Sequence, residues 1–183
     1  MDKKWLIRKK YFLKRKKNYF NIDVNFFLPL VKLIKKIIKN KDINIAIYFP
    51  NSYEVNVLKI LEVEYFKKFN FLLPIIKKNN SMKFYKWKKN GVLLINKYGI
   101  PEPVETKEII PSIVLLPLLA YDKNKNRIGY GKGFYDKFLN KFLKTRKKIL
   151  TIGVAFSFQK HHKLPNNKKD FKLNYIINEK GIV

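Results

Sequence analysis

Three of the chain's seven glycines, Gly129, Gly131 and Gly133, fall within five residues of one another. They lie inside the segment Arg-Ile-Gly-Tyr-Gly-Lys-Gly-Phe-Tyr-Asp at 127–136, with the apolar residues 113–121 before it and a helix-like stretch, Phe134 to Phe142, after it. A strand, a glycine-rich turn and a helix start form a place where backbone N–H groups can surround a phosphate. Arg127 and Lys132 add two cations and Asp136 a carboxylate. Cations stabilise charge on a transferring phosphoryl group, and a carboxylate can hold magnesium directly or through water. Asp136 equally suits the positive end of the helix it would open, so both roles stand. The spacing G-x-G-x-G is neither the Walker A pattern nor the dinucleotide fingerprint, which leaves a phosphate cradle of another kind or a turn with no ligand.

Other chemistry is sparse. The chain has no cysteine, which excludes a disulfide framework, a zinc–thiolate cluster and a thiol nucleophile. His161 and His162 are adjacent rather than four apart, so they read as solvated or packed residues and not as a helical metal pair. No serine stands in G-x-S-x-G. Glu54 follows a strand-like run and Glu102 sits in the rigid stretch Gly99-Ile100-Pro101-Glu102-Pro103; each fits either a local structural charge or a ligand contact. Tyr130, Phe134 and Tyr135 flank the glycines and can stack on a flat ring.

The formal net charge of +28 invites a nucleic-acid partner, because dense lysine neutralises phosphates. The rest of the composition argues otherwise. Lys, Asn, Ile, Phe and Tyr supply more than half of the residues, all with A/T-rich codons, and the lysines are scattered over every segment. A basic surface left by codon drift is the expectation, with no specific nucleic-acid partner. The same drift makes the four arginines, Arg8, Arg15, Arg127 and Arg146, informative against 37 lysines: each is a candidate for planar, bidentate contacts that lysine cannot make.

The elements that must position these residues follow from apolar spacing. Trp5, Phe12 and Tyr19 at heptad spacing predict an amphipathic helix over 3–20, and a second helix is expected over Phe26 to Ile38. Ile43 to Phe49 reads as a buried strand ending at Pro50, followed by a helix capped by Asn51-Ser52 with Val55, Leu58, Leu61 and Tyr65 on one face. Further strands are expected at 69–76, 82–87, 92–95, 114–120, 149–156 and 173–177, and a helix at 134–143. Strands alternating with helices imply an α/β fold: a mostly parallel sheet with helices on both faces, a Rossmann-like three-layer single domain. Ligands then bind beyond the carboxyl ends of strands, where Pro50–Asn56 and Asp122–Tyr135 should lie. The longest apolar run, 109–121, is broken by Pro111, Ser112 and Pro117 and is too short to span a bilayer. With no apolar signal core at the N-terminus, a soluble cytoplasmic protein is expected.

Pro117 to Asp122 followed by Arg127 to Asp136 resembles the signature of the 5-formyltetrahydrofolate cyclo-ligase family. Weaker blocks fall in the same order: Lys4 and Arg8 as K-x-x-x-R, Tyr48-Phe49-Pro50 with Glu54-Val55, Leu73-Pro74, Gly99-Ile100 with Glu102-Pro103, Gly153 to Phe156 with Gln159, then Pro165 and Asp170. The chain departs from the pattern at Asn56-Val57, where the family usually has threonine, and at Lys169, where His or Asn often stands. The resemblance covers nearly the whole chain and implies one cyclo-ligase domain over 1–183. The implied reaction is ATP- and Mg2+-dependent cyclisation of 5-formyltetrahydrofolate to 5,10-methenyltetrahydrofolate, with ADP and phosphate released. It implies that Lys4, Arg8, Arg127, Gly129, Tyr130, Gly131, Lys132, Gly133, Phe134 and Tyr135 contact ATP. It also implies that Asn51, Glu54, Asn56, Tyr130 and Phe134 meet the folate, that Asp136 and Asp170 serve Mg2+, and that Arg127, Lys132 and Tyr135 act in catalysis. Folate and ATP are then the partners of a monomer without a membrane anchor.

Two other readings remain at the level of sequence. A non-catalytic basic protein would shift random DNA in a salt-dependent way, and another phosphate-binding α/β enzyme, such as a sugar-phosphate isomerase, would turn over without ATP.

Overall fold

Along the central strands the odd and even residues are both apolar, which is what a sheet covered on two faces demands. Ile45, Ile113, Leu115, Ile152 and Val154 enter one core, and Ala46, Val114, Leu116 and Ile176 enter another on the opposite face. A computed structural model, describing residues 3–37, 43–143, 149–167 and 170–183, gives the architecture. Helices α1 (Lys3–Asn18) and α2 (Leu28–Ile37) precede strand β1 (Asn44–Ala46). Then come β2 (Asn70–Ile76), β3 (Met82–Lys86), the hairpin β4 (Leu93–Ile95) and β5 (Pro101–Pro103), and β6 (Ile113–Pro117). A small ribbon of β7 (Ala120–Tyr121) and β8 (Arg127–Ile128) leads into α3 (Phe134–Leu143), followed by β9 (Leu150–Val154), β10 (Tyr175–Asn178) and β11 (Gly181–Ile182).

The main sheet has seven strands in the order β11-β10-β9-β6-β1-β2-β3. Its inner pairs are parallel, and β3 and β11 close the edges antiparallel. Helix α2 covers one face through Leu30, Val31 and Ile34, and α3 the other through Phe138 and Leu139. The expected mostly parallel sheet with helices on both faces is therefore the fold observed.

The chain leaves β1 toward β2 on one side and β6 toward β9 on the other, so neighbouring β1 and β6 form the switch point of the sheet, where open α/β sheets bind ligands. Both segments expected to carry the site, 50–56 and 122–135, follow the carboxyl ends of these two strands.

Three expectations need correction. The segment after β1 is not an α-helix but two short 3-10 turns, Val57–Glu62 and Glu64–Phe66. The buried residues there are Val57, Ile60, Val63 and Phe66, three apart, which is the 3-10 period rather than the α period. The strand expected through Ala120 stops at Pro117; Leu118 and Leu119 turn the chain into the separate β7 ribbon. The second helix begins later than expected: Asp23 accepts a hydrogen bond from the Asn25 N–H and starts a 3-10 turn, Val24–Phe27, that runs into α2. Its expected last residue, Ile38, lies outside the described residues, as do Arg146 and Lys169.

The turn between β7 and β8 hangs on one buried carboxylate. Asp122 accepts from the backbone N–H of Asn124, Asn126 and Leu164 and from the Asn126 side chain. Burial alone would raise its pKa, yet these four donors hold it below the usual value, so it serves as a fixed structural anion.

Candidate active site

Between β8 and α3 the backbone takes positive φ at Gly131 (+94°) and Gly133 (+70°). Side chains resist this region, which explains why glycine stands at both positions. The bend brings the loop against α1. The Nε of Arg8 donates to the Gly129 carbonyl at 3.0 Å, and a Cβ placed on Gly131 would stand 3.2 Å from the Arg8 guanidinium carbon. The base of the loop is closed by Arg127, whose Nη2 lies 2.9 Å from Asp136 Oδ1. Asp136 Oδ1 also accepts from the Phe171 N–H at 3.1 Å, so the helix start, the loop base and the 170–171 segment meet at one carboxylate. Lys132 stands exposed at the tip, its ammonium 5.9 Å from the Tyr98 ring centre. The rings of Tyr98 and Phe134 lie 6.0 Å apart.

Helix α1 turns a polar face inward. Lys4, Arg8, Tyr11 and Arg15 recur at spacings of four, three and four, which places them on one side of a helix. Lys4 pairs with Asp170. The Tyr11 hydroxyl lies 3.0 Å from the Lys160 carbonyl, to which it donates, and 3.1 Å from His161 Nδ1. Arg15 donates to the Leu118 carbonyl at 3.2 Å, to the Ser52 carbonyl at 2.7 Å and to the Tyr130 hydroxyl. Its side chain is fully buried, whereas Trp5 is 47% exposed and Tyr19 36%. Of the heptad aromatics only Phe12 packs inward; the buried residues of α1 are Tyr11 and Arg15, with Lys4 and Arg8 partly buried beside them, because the acceptors of this polar row are loop carbonyls and a carboxylate at the sheet's carboxyl edge.

The turn after β1 is strained. Ser52 and Tyr53 both take positive φ (50° and 65°), an uncommon cost for residues with side chains. It is closed from within: the Asn51 N–H donates to Glu54 Oε2 at 2.9 Å, and the Glu54 N–H to the Asn51 carbonyl at 3.0 Å. Glu54 is buried, and burial raises its pKa against the opposing pull of the Asn51 N–H, Arg15 and the Tyr130 hydroxyl. Burial and the Glu54 charge push the Tyr130 and Tyr135 phenols far above the ordinary tyrosine value, so both stay protonated donors. Among the described residues, the buried side-chain polar atoms without a hydrogen-bond partner are Arg15 Nε and Asn56 Oδ1, and both border this turn. Buried polar atoms are rarely left so; their usual partner is a bound water, ion or ligand group.

Two grips result. Backbone amides of the glycine loop with Lys4 and Arg8 suit a polyanion. Glu54 places a carboxyl group in the strained turn, able to accept from the N–H groups of a flat heterocycle, with the buried Asn56 Oδ1 behind it and Tyr130 lying between the grips. An open pocket of about 460 Å3 adjoins α1, floored by Leu6, Ile7, Leu164 and Pro165 and rimmed by Lys3 and His161. Glu102 is structural: its Oε1 accepts from the Ile76 N–H and the Asn96 side chain, bracing the β4–β5 hairpin. Among the described residues no group of three His, Cys, Asp or Glu could hold a metal. Asp136 and Asp170 lie on adjoining segments, paired with Arg127 and Lys4 respectively, and Oδ2 of the first and Oδ1 of the second accept no hydrogen bond among the described residues. Such hard oxygens fit a divalent cation whose remaining ligands come from phosphate or water.

Of the site residues expected from sequence, Lys4, Arg8, Gly129, Gly131, Tyr130, Tyr135, Glu54 and Asn56 converge on this edge. Arg127 is turned into Asp136, and Lys132 stands apart at the tip. Arg15 was not expected in the site. The signal for it was available in the scarcity of arginine, which singled out four residues without ranking them.

The family model for 5-formyltetrahydrofolate cyclo-ligases matches residues 1–179. The 5-formyltetrahydrofolate cyclo-ligase of Mycoplasma genitalium is 31% identical over 181 residues, covering 93% of this chain and 94% of its own. That of Haemophilus influenzae is 28% identical over 141 residues, covering 73% and 74%. Among solved structures, 5,10-methenyltetrahydrofolate synthetase of Aquifex aeolicus aligns with a TM-score of 0.76 at 28% identity over 98% of this chain and 91% of its own. The synthetase of Mycoplasma pneumoniae aligns with a TM-score of 0.69 at 26% identity over 98% and 99%.

Proposed function

The chain belongs to the 5-formyltetrahydrofolate cyclo-ligase family, and on that premise we propose how its own residues carry the ATP-dependent cyclisation of 5-formyltetrahydrofolate to 5,10-methenyltetrahydrofolate. A formyl oxygen is a poor leaving group. Phosphorylation by ATP makes it a good one, N10 attacks the activated carbon, and phosphate departs with that oxygen. The protein must position both substrates and neutralise phosphate charge, and it needs no nucleophile of its own.

The observation that supports the assignment is the contact of Arg8 with the Gly129–Gly131 bend, which seats a guanidinium against the glycine loop. Lys4, Arg8 and the 127–135 loop hold the triphosphate, and the adjoining apolar pocket suits its base. Asn51, Glu54 and Asn56 take the pterin end, with Tyr130 and Phe134 beside the formyl group. Arg127 fixes the loop rather than reaching into solvent. Tyr135, a protonated phenol facing Glu54 and Arg127, donates a hydrogen bond where charge develops, and flexible Lys132 adds a mobile positive charge. Magnesium, when bound, would neutralise phosphate oxygens; Asp136 Oδ2 and Asp170 Oδ1 are the carboxylate oxygens that would face it. We further infer a single cytoplasmic domain acting as a monomer, with no nucleic-acid partner. No helix among the described residues is long and apolar enough to cross a membrane.

Substrate labelled with 18O in the formyl group tests the phosphoryl route. With ATP and magnesium the label should appear in inorganic phosphate. Label released into water instead would refute it.

A further inference from the structure

One side chain joins the two grips. Arg15 reaches from α1 to three separate segments: the Leu118 carbonyl beyond β6, the Ser52 carbonyl in the strained 51–54 turn, and the Tyr130 hydroxyl in the glycine loop. The Leu118 carbonyl is itself pinned, accepting from Gln159 Nε2 at 2.8 Å, so Arg15 hangs from a fixed point of the sheet edge. Its guanidinium carbon also lies 5.5 Å from the Tyr130 ring centre. Spanning three acceptors in different directions needs the planar fork; an ammonium offers a single charged point. The chain uses lysine almost everywhere else, and here it does not.

This arrangement is costly if stability were its only purpose. Arg15 makes no ion pair within 4 Å among the described residues, and its Nε has no partner although it is buried. A buried cation with an unmet donor is a liability to the folded state. What it holds is the carbonyl between two left-handed residues, Ser52 and Tyr53, the most strained backbone beside the folate grip. The same nitrogen that holds this carbonyl, Nη2, also holds the nucleotide loop's Tyr130.

We propose that Arg15 is a positioning residue that couples the two substrates: because the folate turn and the nucleotide loop hang on one guanidinium, ordering either by its ligand orders the other. The inference rests on the cyclo-ligase reading of the site. Folate and nucleotide then tighten each other's binding by one shared factor, since linkage between two ligands is reciprocal.

The test is calorimetric titration of the non-hydrolysable β,γ-imido analogue of ATP, with and without saturating 5-formyltetrahydrofolate, and the converse titration. In the parent protein each ligand should tighten the other by on the order of fivefold or more, equally in both directions. Arg15→Lys, which keeps the charge and loses the fork, should bring that factor close to one while each ligand still binds alone. Tyr130→Phe should lose the coupling too, and the double variant should lose no more than either. A parent without coupling, or an Arg15→Lys protein that melts lower yet keeps the coupling, overturns the proposal. If Arg15→Lys does not fold, coupling retained in Tyr130→Phe overturns it and coupling lost there upholds it. Methenyl product formed by the same parent preparation keeps the two readings separate: turnover without coupling refutes only the role of Arg15.

Discussion

Arg127 and Asp136 face each other at 2.9 Å across the neck of the glycine loop, so one ion pair fixes both ends of that segment. The arginine side chain is only 6% exposed, which removes most of the solvent screening that weakens surface pairs. On the proposed reading it acts on the nucleotide through the loop it holds.

Arg127→Lys should therefore be far from conservative. Lysine keeps the charge but cannot present the same planar contact to Asp136. Steady-state kinetics should show kcat/KM reduced by about tenfold or more, roughly 1.4 kcal/mol of transition-state stabilisation. Unchanged kinetics in the folded variant would mean that the neck does not position the loop.

Gly131→Val tests the bend itself. At φ +94° a β-branched residue is strained, by about 1–2 kcal/mol on the left-handed penalty, and its Cβ would press on the Arg8 guanidinium. Nucleotide affinity by calorimetry should fall at least tenfold, with the circular dichroism spectrum unchanged and only a small drop in melting temperature. Parent-like affinity would reduce the loop to a turn.

Much of this was legible in the chain because it rests on spacing. The strands at 70–76, 82–86 and 150–154 lie where β-rich apolar runs predicted them, and the glycine cluster marked the loop. The segment after β1 was misread because Val55, Leu58, Leu61 and Tyr65 mimic a helical stripe. What decides there is the backbone: Ser52 and Tyr53 take positive φ, which no right-handed helix can contain and which an apolar pattern does not reveal. The inward face of α1 was missed for a related reason. Aromatic residues at heptad spacing look like a buried stripe, and only the tertiary placement of carbonyls at the sheet edge explains why Arg15 is buried and Trp5 is not.

Glu54→Gln separates function from stability. Burial raises the Glu54 pKa in the folded state, so folding favours its protonated form. The parent therefore has its full share of stability below the ordinary glutamate pKa and loses it, relative to the glutamine variant, as pH rises through the folded value. Thermal melts should show a gap moving in the variant's favour from acid toward neutral pH, while its affinity for 5-formyltetrahydrofolate falls. A gap moving the other way would show the carboxylate to be stabilised where it sits.

The most direct measurement is the absorbance of the methenyl-folate band when the purified protein is mixed at neutral pH with 5-formyltetrahydrofolate, ATP and magnesium. The account predicts a rise with all three present, one phosphate released per methenyl group formed, and no rise when ATP is omitted or the metal is chelated. No rise in the complete mixture, or an undiminished rise without ATP, would contradict it.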